Sequence, residues 1–115
     1  MHQNKFIEIE KLIDKGKIEE AQSELSKIGP SFFDNPEYLY LRGKVFYINK
    51  LYYLAIDTLL IALEFEKNDK IYNMIAEIYN ILDNKELSKS IFNPQQRESA
   101  INLLKSSLSG TFRKK

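Results

Sequence analysis

The sequence predicts an all-α protein, in which antiparallel helix hairpins form a stack that a C-terminal helix caps. The first observation behind this prediction is an apolar run over residues 51–65, which only Asp57, Thr58 and Glu64 interrupt. The run is longer than a usual strand and contains several Ala, Leu and Glu residues, which favour helices. The second observation is that apolar residues recur at helical spacing along the rest of the chain, between breaks at glycine, proline and asparagine.

Breaks in the helical pattern mark where the predicted helices begin and end. Gly16 ends the first helix, because glycine readily adopts the left-handed conformation that closes a helix, and Gly29 with Pro30 ends the second. Asn35 and Pro36 begin the third helix, as its N-cap and a first-turn residue. The predicted helices span residues 3–14, 17–28, 36–49, 51–65, 70–82, 85–92 and 94–108.

Several positions within this pattern carry more specific expectations. Gly43 costs a helix interior about 1 kcal/mol relative to alanine, so we expect another helix backbone to approach it closely. Phe32 and Phe33 are too apolar to remain in water and are expected to lie beneath the following helix. Pro94 is expected to open the last helix, and Gly110 to end it.

The helix over 51–65 is expected to be the middle layer of the stack, because its apolar residues do not lie on a single side. One stripe consists of Tyr52, Ala55, Ile56, Leu59 and Leu63. Outside that stripe lie Leu51, Leu54, Ile61 and Phe65. An apolar surface on several sides implies neighbouring helices on several sides.

Length and composition indicate one cytoplasmic domain over residues 1–110, followed by a basic tail at 111–115. The 115 residues are 43% hydrophobic and 29% charged, as in an ordinary soluble globular protein. The absence of cysteine excludes disulfides, thiolate metal sites and cysteine nucleophiles. No apolar stretch reaches the length of a membrane span, and Glu8 and Glu10 interrupt the apolar core that a signal peptide needs.

Charge is unevenly distributed, although the formal net charge is only +1. Residues 1–69 hold nine Lys and Arg against twelve Asp and Glu, whereas residues 70–115 hold eight against four. This distribution favours steering of a charged partner or head-to-tail contact between copies, and it is also what scattered solvated side chains produce.

Residues of similar size recur at intervals of 33 or 34 positions. An offset of 34 places Ala21 over Ala55, and an offset of 33 places Gly43 over Ala76. Small residues then coincide with small ones, which allows paired helices to pack closely. The middle unit contains Leu39, Gly43, Phe46, Ala55 and Leu59, and the third contains Tyr72, Ile75, Ala76, Tyr79, Ser88 and Phe92.

This pattern resembles the tetratricopeptide repeat family, whose signature is an aromatic residue, a Leu-Gly pair, an aromatic, a small residue and a large apolar one. Arg42 replaces the leucine in the middle unit, and the first unit agrees only at Leu12, Ala21 and Leu25. The resemblance implies an α-solenoid of about three degenerate repeats with a polar-backed cap helix. These parts would occupy 3–30, 36–67, 70–92 and, for the cap, 94–108.

Two alternatives to this arrangement remain open at the level of sequence. Any antiparallel bundle of helices of similar length would show the same spacing. Within the repeat arrangement, Ala100 and Leu104 can instead belong to the third return helix, with residues 84–95 as an insertion.

The sequence contains no constellation of residues suited to catalysis, metal binding or a cofactor. His2 is the only histidine, and no aspartate cluster has the spacing of a calcium loop. The four glycines are isolated, so no phosphate-binding loop forms, and no base is available to activate a serine. We therefore expect a non-enzymatic protein without cofactors or metal ions.

In the tetratricopeptide family, the first helix of each pair lines a concave groove that binds an extended or helical peptide. The resemblance places in this groove Phe6, Glu10, Ile13, Tyr40, Lys44, Tyr47, Asn73, Glu77 and Asn80. Three of these, Lys44, Asn73 and Asn80, match only part of the carboxylate clamp of chaperone-binding members, and Phe6 and Glu10 depart from it. An amphipathic or aromatic-bearing segment therefore suits the groove better than an acidic C-terminal peptide. Alternatively, the tyrosines only cover the core.

Three functional hypotheses follow. The first is an adaptor or chaperone-like scaffold that binds a protein segment without catalysis. The second is an assembly module whose end repeats associate with another copy. The third is weak binding to nucleic acid or an anionic membrane, which Glu86 and Glu98 disfavour because they interrupt the basic residues. Those basic residues are Lys85, Lys89, Arg97, Lys105, Arg113, Lys114 and Lys115.

Overall fold

The computed structural model describes the backbone of residues 2–113 and the side chains of residues 4–29 and 31–106. This part of the chain is helical and contains no strand, which confirms the all-α prediction. The first six helices agree with the predicted ones to within one residue at each end. The helices are α1 (His2–Asp14), α2 (Ile18–Ile28), α3 (Pro36–Ile48), α4 (Tyr52–Phe65), α5 (Asp69–Ile81), α6 (Lys85–Phe92) and α7 (Arg97–Arg113), with a 3₁₀ turn at Gly29–Ser31.

Asparagine side chains begin three of these helices. Asn35 Oδ1 accepts hydrogen bonds from the backbone N–H groups of Glu37 (2.9 Å) and Tyr38 (3.1 Å), which confirms its predicted role as an N-cap. Asn68 and Asn84 begin α5 and α6 in the same way, by accepting a backbone N–H of the first turn. These bonds satisfy donors that a helix end otherwise leaves unpaired.

The same tight turn closes α1, α3 and α5. Gly16, Lys50 and Asp83 have φ angles of 81°, 63° and 65°, in the left-handed region. In each turn the N–H of the following residue donates to the carbonyl five positions earlier, at 2.8 to 2.9 Å, as in a Schellman motif. The three left-handed residues are 34 and 33 positions apart. The recurrence of residue size in the sequence therefore corresponds to a recurrence of hairpin geometry.

The chain forms two compact units, Met1–Lys67 and Asn68–Lys115. The boundary between them lies in the connection that sequence analysis placed between the second and third repeats. The assignment of residues 1–110 to one domain stays a prediction.

The first unit consists of two helix hairpins. α1 pairs with α2 and α3 pairs with α4, and α3 also packs against both helices of the preceding hairpin. Helix α4 buries about half of its circumference, because its buried residues cover adjacent positions on the helical wheel. These residues are Ala55, Ile56, Leu59, Leu60, Ala62 and Leu63.

Gly43 lies at a close contact between α3 and α4. A Cβ atom at this position would lie 2.8 Å from both Cγ and Cδ2 of Leu59, and 3.6 Å from the carbonyl oxygen of Ala55. Leu59 and Ala55 are both fully buried. The predicted close approach at Gly43 is therefore confirmed, and its partner is the side chain of Leu59 together with the α4 backbone.

Of the two loop phenylalanines, only Phe32 is partly covered, and the ring that it contacts belongs to α1 rather than to the following helix. The ring of Phe32 packs edge-on against Phe6, with centroids 5.5 Å apart and an interplanar angle of 82°. Phe33 is 66% exposed, so the prediction for this residue is wrong. The physical reason is that neighbouring side chains in a non-helical segment point in different directions, so a short loop directs one ring inward and the other outward.

The second unit contains the hairpin of α5 and α6, and α7 packs against α6. The buried Ser88 of α6 donates its hydroxyl to the carbonyl of Ala76 on α5, at 2.7 Å. These two small residues occupy the positions that correspond to Gly43 and Ala55 in the first unit. Because α6 is the helix that returns along α5, the alternative in which residues 84–95 form an insertion is wrong.

Helix α7 differs from the prediction at both ends. Pro94 does not open it: residues 93–96 form a turn in which Asn93 Oδ1 accepts the N–H of Gln95 (2.9 Å), and α7 begins at Arg97. Gly110 does not end it, since the helix continues to Arg113. Glycine permits a helix to stop but does not require it to. Of the predicted basic tail at 111–115, the last two residues lie outside the described part of the chain.

We expect Gly43→Ala to lower the free energy of unfolding by about 1 kcal/mol. The gain in helix propensity is at most about 1 kcal/mol, whereas overpacking a tight core costs about 1 to 3 kcal/mol. Denaturation in urea, followed by circular dichroism, measures the change. In a Leu59→Ala background the added methyl group has space, so the same substitution should become neutral or stabilising. If Gly43→Ala stabilises the wild-type chain, the close approach to Leu59 is not what limits this position.

Candidate functional site

Three of the predicted groove residues meet on the surface that α1 and α3 form in the first unit. Lys44 Nζ lies 2.9 Å from Glu10 Oε2 and 2.8 Å from Asp14 Oδ1. Glu10 and Asp14 are four residues apart and therefore share one side of α1, and Tyr40 and Lys44 share one side of α3 for the same reason. We call these four residues the α1–α3 cluster.

The cluster keeps its charges although it is partly removed from water. The side chain of Lys44 is only 16% exposed. Burial alone would lower the pKa of Lys44, but its hydrogen bonds to Asp14 and Glu10 outweigh burial and raise the pKa above 10.5. Burial also raises the pKa of Tyr40 to about 12; Lys44 opposes this shift, and Glu10, Glu37 and Asp14 add to it. At neutral pH Lys44 is therefore an ammonium and Tyr40 a neutral phenol.

An aromatic pair lies one turn further along α3. The rings of Tyr47 and Tyr52 are 6.2 Å apart between centroids and inclined at 57°, which joins the end of α3 to the start of α4. Both side chains are partly exposed. Tyr47 therefore has a role in packing and still presents part of its ring to solvent.

The remaining predicted groove residues separate into buried and exposed groups. Phe6, Ile13 and Tyr40 are buried in the first unit. In the second unit, Asn73, Glu77 and Asn80 are exposed. Their spacing of four and three residues places them on one side of α5, opposite its buried isoleucines. The structure thus leaves Glu10, Lys44, Tyr47 and these three α5 residues accessible, and their role in binding stays a prediction.

Arg97 holds together three helices of the second unit rather than contributing to a basic surface. It is buried, and its Nη1 lies 2.7 Å from Asp69 Oδ1 at the start of α5. Its Nε and Nη2 donate to the carbonyls of Ile91 and Phe92 at the end of α6, both at 3.2 Å. Its guanidinium also lies over the ring of Tyr72, 4.5 Å from the centroid.

Tyr72 completes this arrangement in the second unit. Its hydroxyl donates a hydrogen bond to Glu98 on α7. Burial, reinforced by that bond, raises the pKa of Tyr72 above its usual range, so the phenol stays neutral. From the sequence, Arg97 was predicted to be one of the candidate basic surface residues. No local signal shows that its charge is used internally, because its partners lie on other helices.

A small cleft lies between α1 and α2. It has a volume of about 210 Å³ and is bordered by the ion pair of Lys5 and Glu24. Hydrogen bonds from Lys5 and Lys27 lower the pKa of Glu24. Pockets that bind small organic ligands usually hold about 300 Å³ or more, so this cleft suits at most a very small molecule.

One apolar side of helix α4 is exposed, so the prediction that neighbouring helices cover α4 on several sides is wrong. Leu51, Leu54, Ile61 and Phe65 are 47% to 51% exposed. With Thr58 they follow a spacing of three, four, three and four residues, the pattern of a coiled-coil contact. We call these five residues the α4 seam. In the sequence, these four apolar residues lie outside the main apolar stripe of the helix. Helical periodicity alone does not show whether another helix covers them.

Among the described residues, no three His, Cys, Asp or Glu side chains are grouped so that they could hold a metal ion. In the same part of the chain, no helix has both the length and the apolar character needed to cross a membrane.

The sequence matches no protein-family model, and comparison with curated proteins and with solved structures finds no significant similarity. The tetratricopeptide resemblance therefore depends on the residue pattern alone and stays a prediction.

We expect Lys44→Met to lower the free energy of unfolding by about 1 to 3 kcal/mol. The substitution leaves the carboxylates of Glu10 and Asp14 close together and without their shared cation. Chemical denaturation measures the loss. The matched control is Lys27→Met: Lys27 is 67% exposed in its ion pair with Glu24, and exposed pairs contribute little. Equal effects of the two substitutions would show that the cluster is no more than a surface pair.

Stability should decline between pH 10 and pH 12, in part because of Tyr40. The unfolded chain loses the phenol proton near pH 10, whereas the folded protein holds it to about 12, so this contribution is complete below pH 10 and is lost as the pH rises toward 12. Thermal unfolding of Tyr40→Phe over this range should show a shallower decline than the wild type. Tyr53→Phe, at a well-exposed position, should retain the wild-type slope. Parallel slopes for all three proteins would contradict the assignment.

Proposed function

We propose that the protein is a non-catalytic protein-interaction module of the adaptor or scaffold type, built from tetratricopeptide-like hairpins and acting in the cytoplasm. The observation that carries the proposal is the Schellman turn that recurs at Gly16, Lys50 and Asp83. The turn recurs at intervals of 34 and 33 residues, so each position of α1 has an equivalent in the sequences of α3 and α5. Repeat proteins of this kind use equivalent positions of successive units to bind extended partners.

Equivalent positions of the three first helices carry polar, accessible side chains. Glu10, Lys44 and Glu77 occupy one such position, and Tyr47 and Asn80 belong to another. These residues are partly or fully exposed. Hydroxyl, amide and charged groups at such helix positions suit recognition of a peptide or helix better than they suit chemistry, for which a base and a nucleophile in contact are required.

The α1–α3 cluster also indicates which segments would bind. Lys44 already contacts two carboxylates, so an acidic ligand would have to displace Glu10 or Asp14 to reach it. Asp14 is 59% exposed and has capacity to accept further hydrogen bonds. We therefore favour a segment that brings a cation or hydroxyl donor to Asp14 and an apolar or aromatic residue to Tyr47.

Self-association as an assembly module is the second candidate. It is favoured by the opposite charge of the two parts of the chain, which suits head-to-tail contact between copies. Light scattering distinguishes it from the first, because an assembly module has a molar mass above 13.5 kDa in the absence of any partner. Nucleic-acid or membrane binding receives less support, since Arg97 is buried and paired with Asp69.

Site-specific photo-crosslinking in cells tests the proposal. A photoreactive side chain at Tyr47 or Asn73 lies on a first helix, and one at Gln22 or Lys89 lies at an exposed position of a second helix. We expect a common crosslinked partner from the first pair only. Tyr47→Ala should weaken capture of that partner about tenfold or more, as loss of an aromatic contact residue does. Its unfolding transition should be measured alongside.

Two results would contradict the proposed interaction face. One is crosslinking of the same proteins from all four positions. The other is a loss of capture by Tyr47→Ala that follows a loss of folding to the same extent, which would identify Tyr47 as a core residue.

A further inference from the structure

The α4 seam has the geometry of one half of a helix–helix interface. Its apolar members, Leu51, Leu54, Ile61 and Phe65, are each about half exposed, although the opposite side of the same helix is fully buried. Their heptad spacing forms a continuous line along the whole of α4. Scattered single apolar residues are normal on a protein surface, but a contiguous line of four marks a site of interaction.

Thr58, the one polar residue within the seam, does not interrupt its apolar character. Its hydroxyl donates a hydrogen bond to the carbonyl of Leu54, one turn earlier, at 2.8 Å. A partner covering the seam would therefore not leave this donor unpaired. The seam can be buried without the loss of a hydrogen bond.

The seam is bordered by carboxylates on its open side. Asp57 and Glu64 are seven residues apart, at the flanking position that precedes Thr58 and Phe65. On the other flank, Ala55 and Ala62 are buried. α4 contains no basic residue.

Asp57 is the carboxylate whose charged form a partner's cation would stabilise. Within the described part of the chain it has neither a hydrogen bond nor an ion pair, and burial raises its pKa. A cation brought to this position would stabilise the charged carboxylate.

These charges decide which kind of partner fits. A second copy of α4 brings no cation to Asp57, and in an antiparallel pair it would place the carboxylates of the two copies against each other. The carboxylates of Asp57 and Glu64 also disfavour contact of the seam with an anionic membrane. A helix with Lys or Arg beside its apolar residues satisfies both the seam and its acidic flank.

We propose that the α4 seam is a second binding surface, which takes an amphipathic helix of another protein with apolar residues at heptad spacing and Lys or Arg along one flank. This surface is separate from the α1–α3 cluster, since Tyr52, which contacts Tyr47, lies on the opposite side of α4. Binding at the seam does not depend on the binding by residues of α1, α3 and α5 that is proposed above.

Two synthetic helical peptides of equal length test the proposal by fluorescence anisotropy with the full chain. Both carry Leu and Ile at heptad spacing, one with Lys at the flanking positions and one with Glu. We expect the Lys peptide to bind at least tenfold more tightly than the Glu peptide. Ile61→Ser should weaken its binding at least fivefold, and Asp57→Lys should reverse the preference between the two peptides.

Matched controls distinguish binding at the seam from nonspecific binding to exposed apolar or acidic residues. Leu103→Ser removes a side chain that is 74% exposed in the second unit, and Glu19→Lys reverses an exposed charge on α2. Both should bind the Lys peptide as the wild type does. Circular dichroism confirms that each variant is folded, and all of the substituted side chains are at least partly exposed.

Three results would overturn the proposal. The first is equal affinity for the Lys and Glu peptides. The second is an Ile61→Ser variant that binds the Lys peptide as tightly as Leu103→Ser does. The third is a wild-type molar mass twice that of the chain, reduced to the single-chain value by Ile61→Ser, which would identify a second copy as the occupant of the seam.

Discussion

The contact between α3 and α4 at Gly43 governs how the first unit is arranged. With no side chain at this position, Leu59 lies directly over the α3 backbone, and a Cβ atom would come within 2.8 Å of it. The two helices can pack at this distance only because small residues, Gly43 and Ala55, lie where they cross. The position of α4 determines in turn which of its sides are buried. In the second unit Ala76 and Ser88 serve the same purpose, with a hydrogen bond between them.

Each unit also contains a cation that is largely removed from water and used internally. Lys44 joins α3 to α1 through two carboxylates, and Arg97 joins α7 to the start of α5 and the end of α6. A charge in such surroundings is tolerated because it is paired and hydrogen-bonded, and removing its partners would be costly. These cations are therefore less available to anionic ligands than a count of basic residues suggests. This consideration argues for neutral or basic protein segments as ligands.

Helix α4 links the fold to both proposed interactions. Its buried side holds α3 in place, and α3 presents Lys44 and Tyr47 to solvent beside α1. Its other side carries the exposed seam with an acidic border. A single helix can do both because its apolar residues extend over most of its circumference, whereas the rest of the first unit covers only about half of it.

The sequence by itself determined the local features of this protein. The asparagine caps, the turns at Gly16 and Lys50 and the period of 33 or 34 residues depend on interactions within a few residues, and these place the first six helices correctly. The close helix contact at Gly43 was also predicted from the sequence, because a glycine inside a helix lowers stability unless packing requires it.

Only the tertiary structure decided which surfaces are covered and which charges are used internally. The exposure of Phe33 and of the α4 seam, the pairing of Lys44 with Asp14 and the burial of Arg97 all depend on residues distant in the sequence. Periodicity shows that a helix has an apolar side, but whether a neighbour covers that side is a property of the assembled helices. The ends of α7 were likewise not determined by the sequence alone. Pro94 and Gly110 permit a helix boundary, and the surrounding hydrogen bonds decide where it falls.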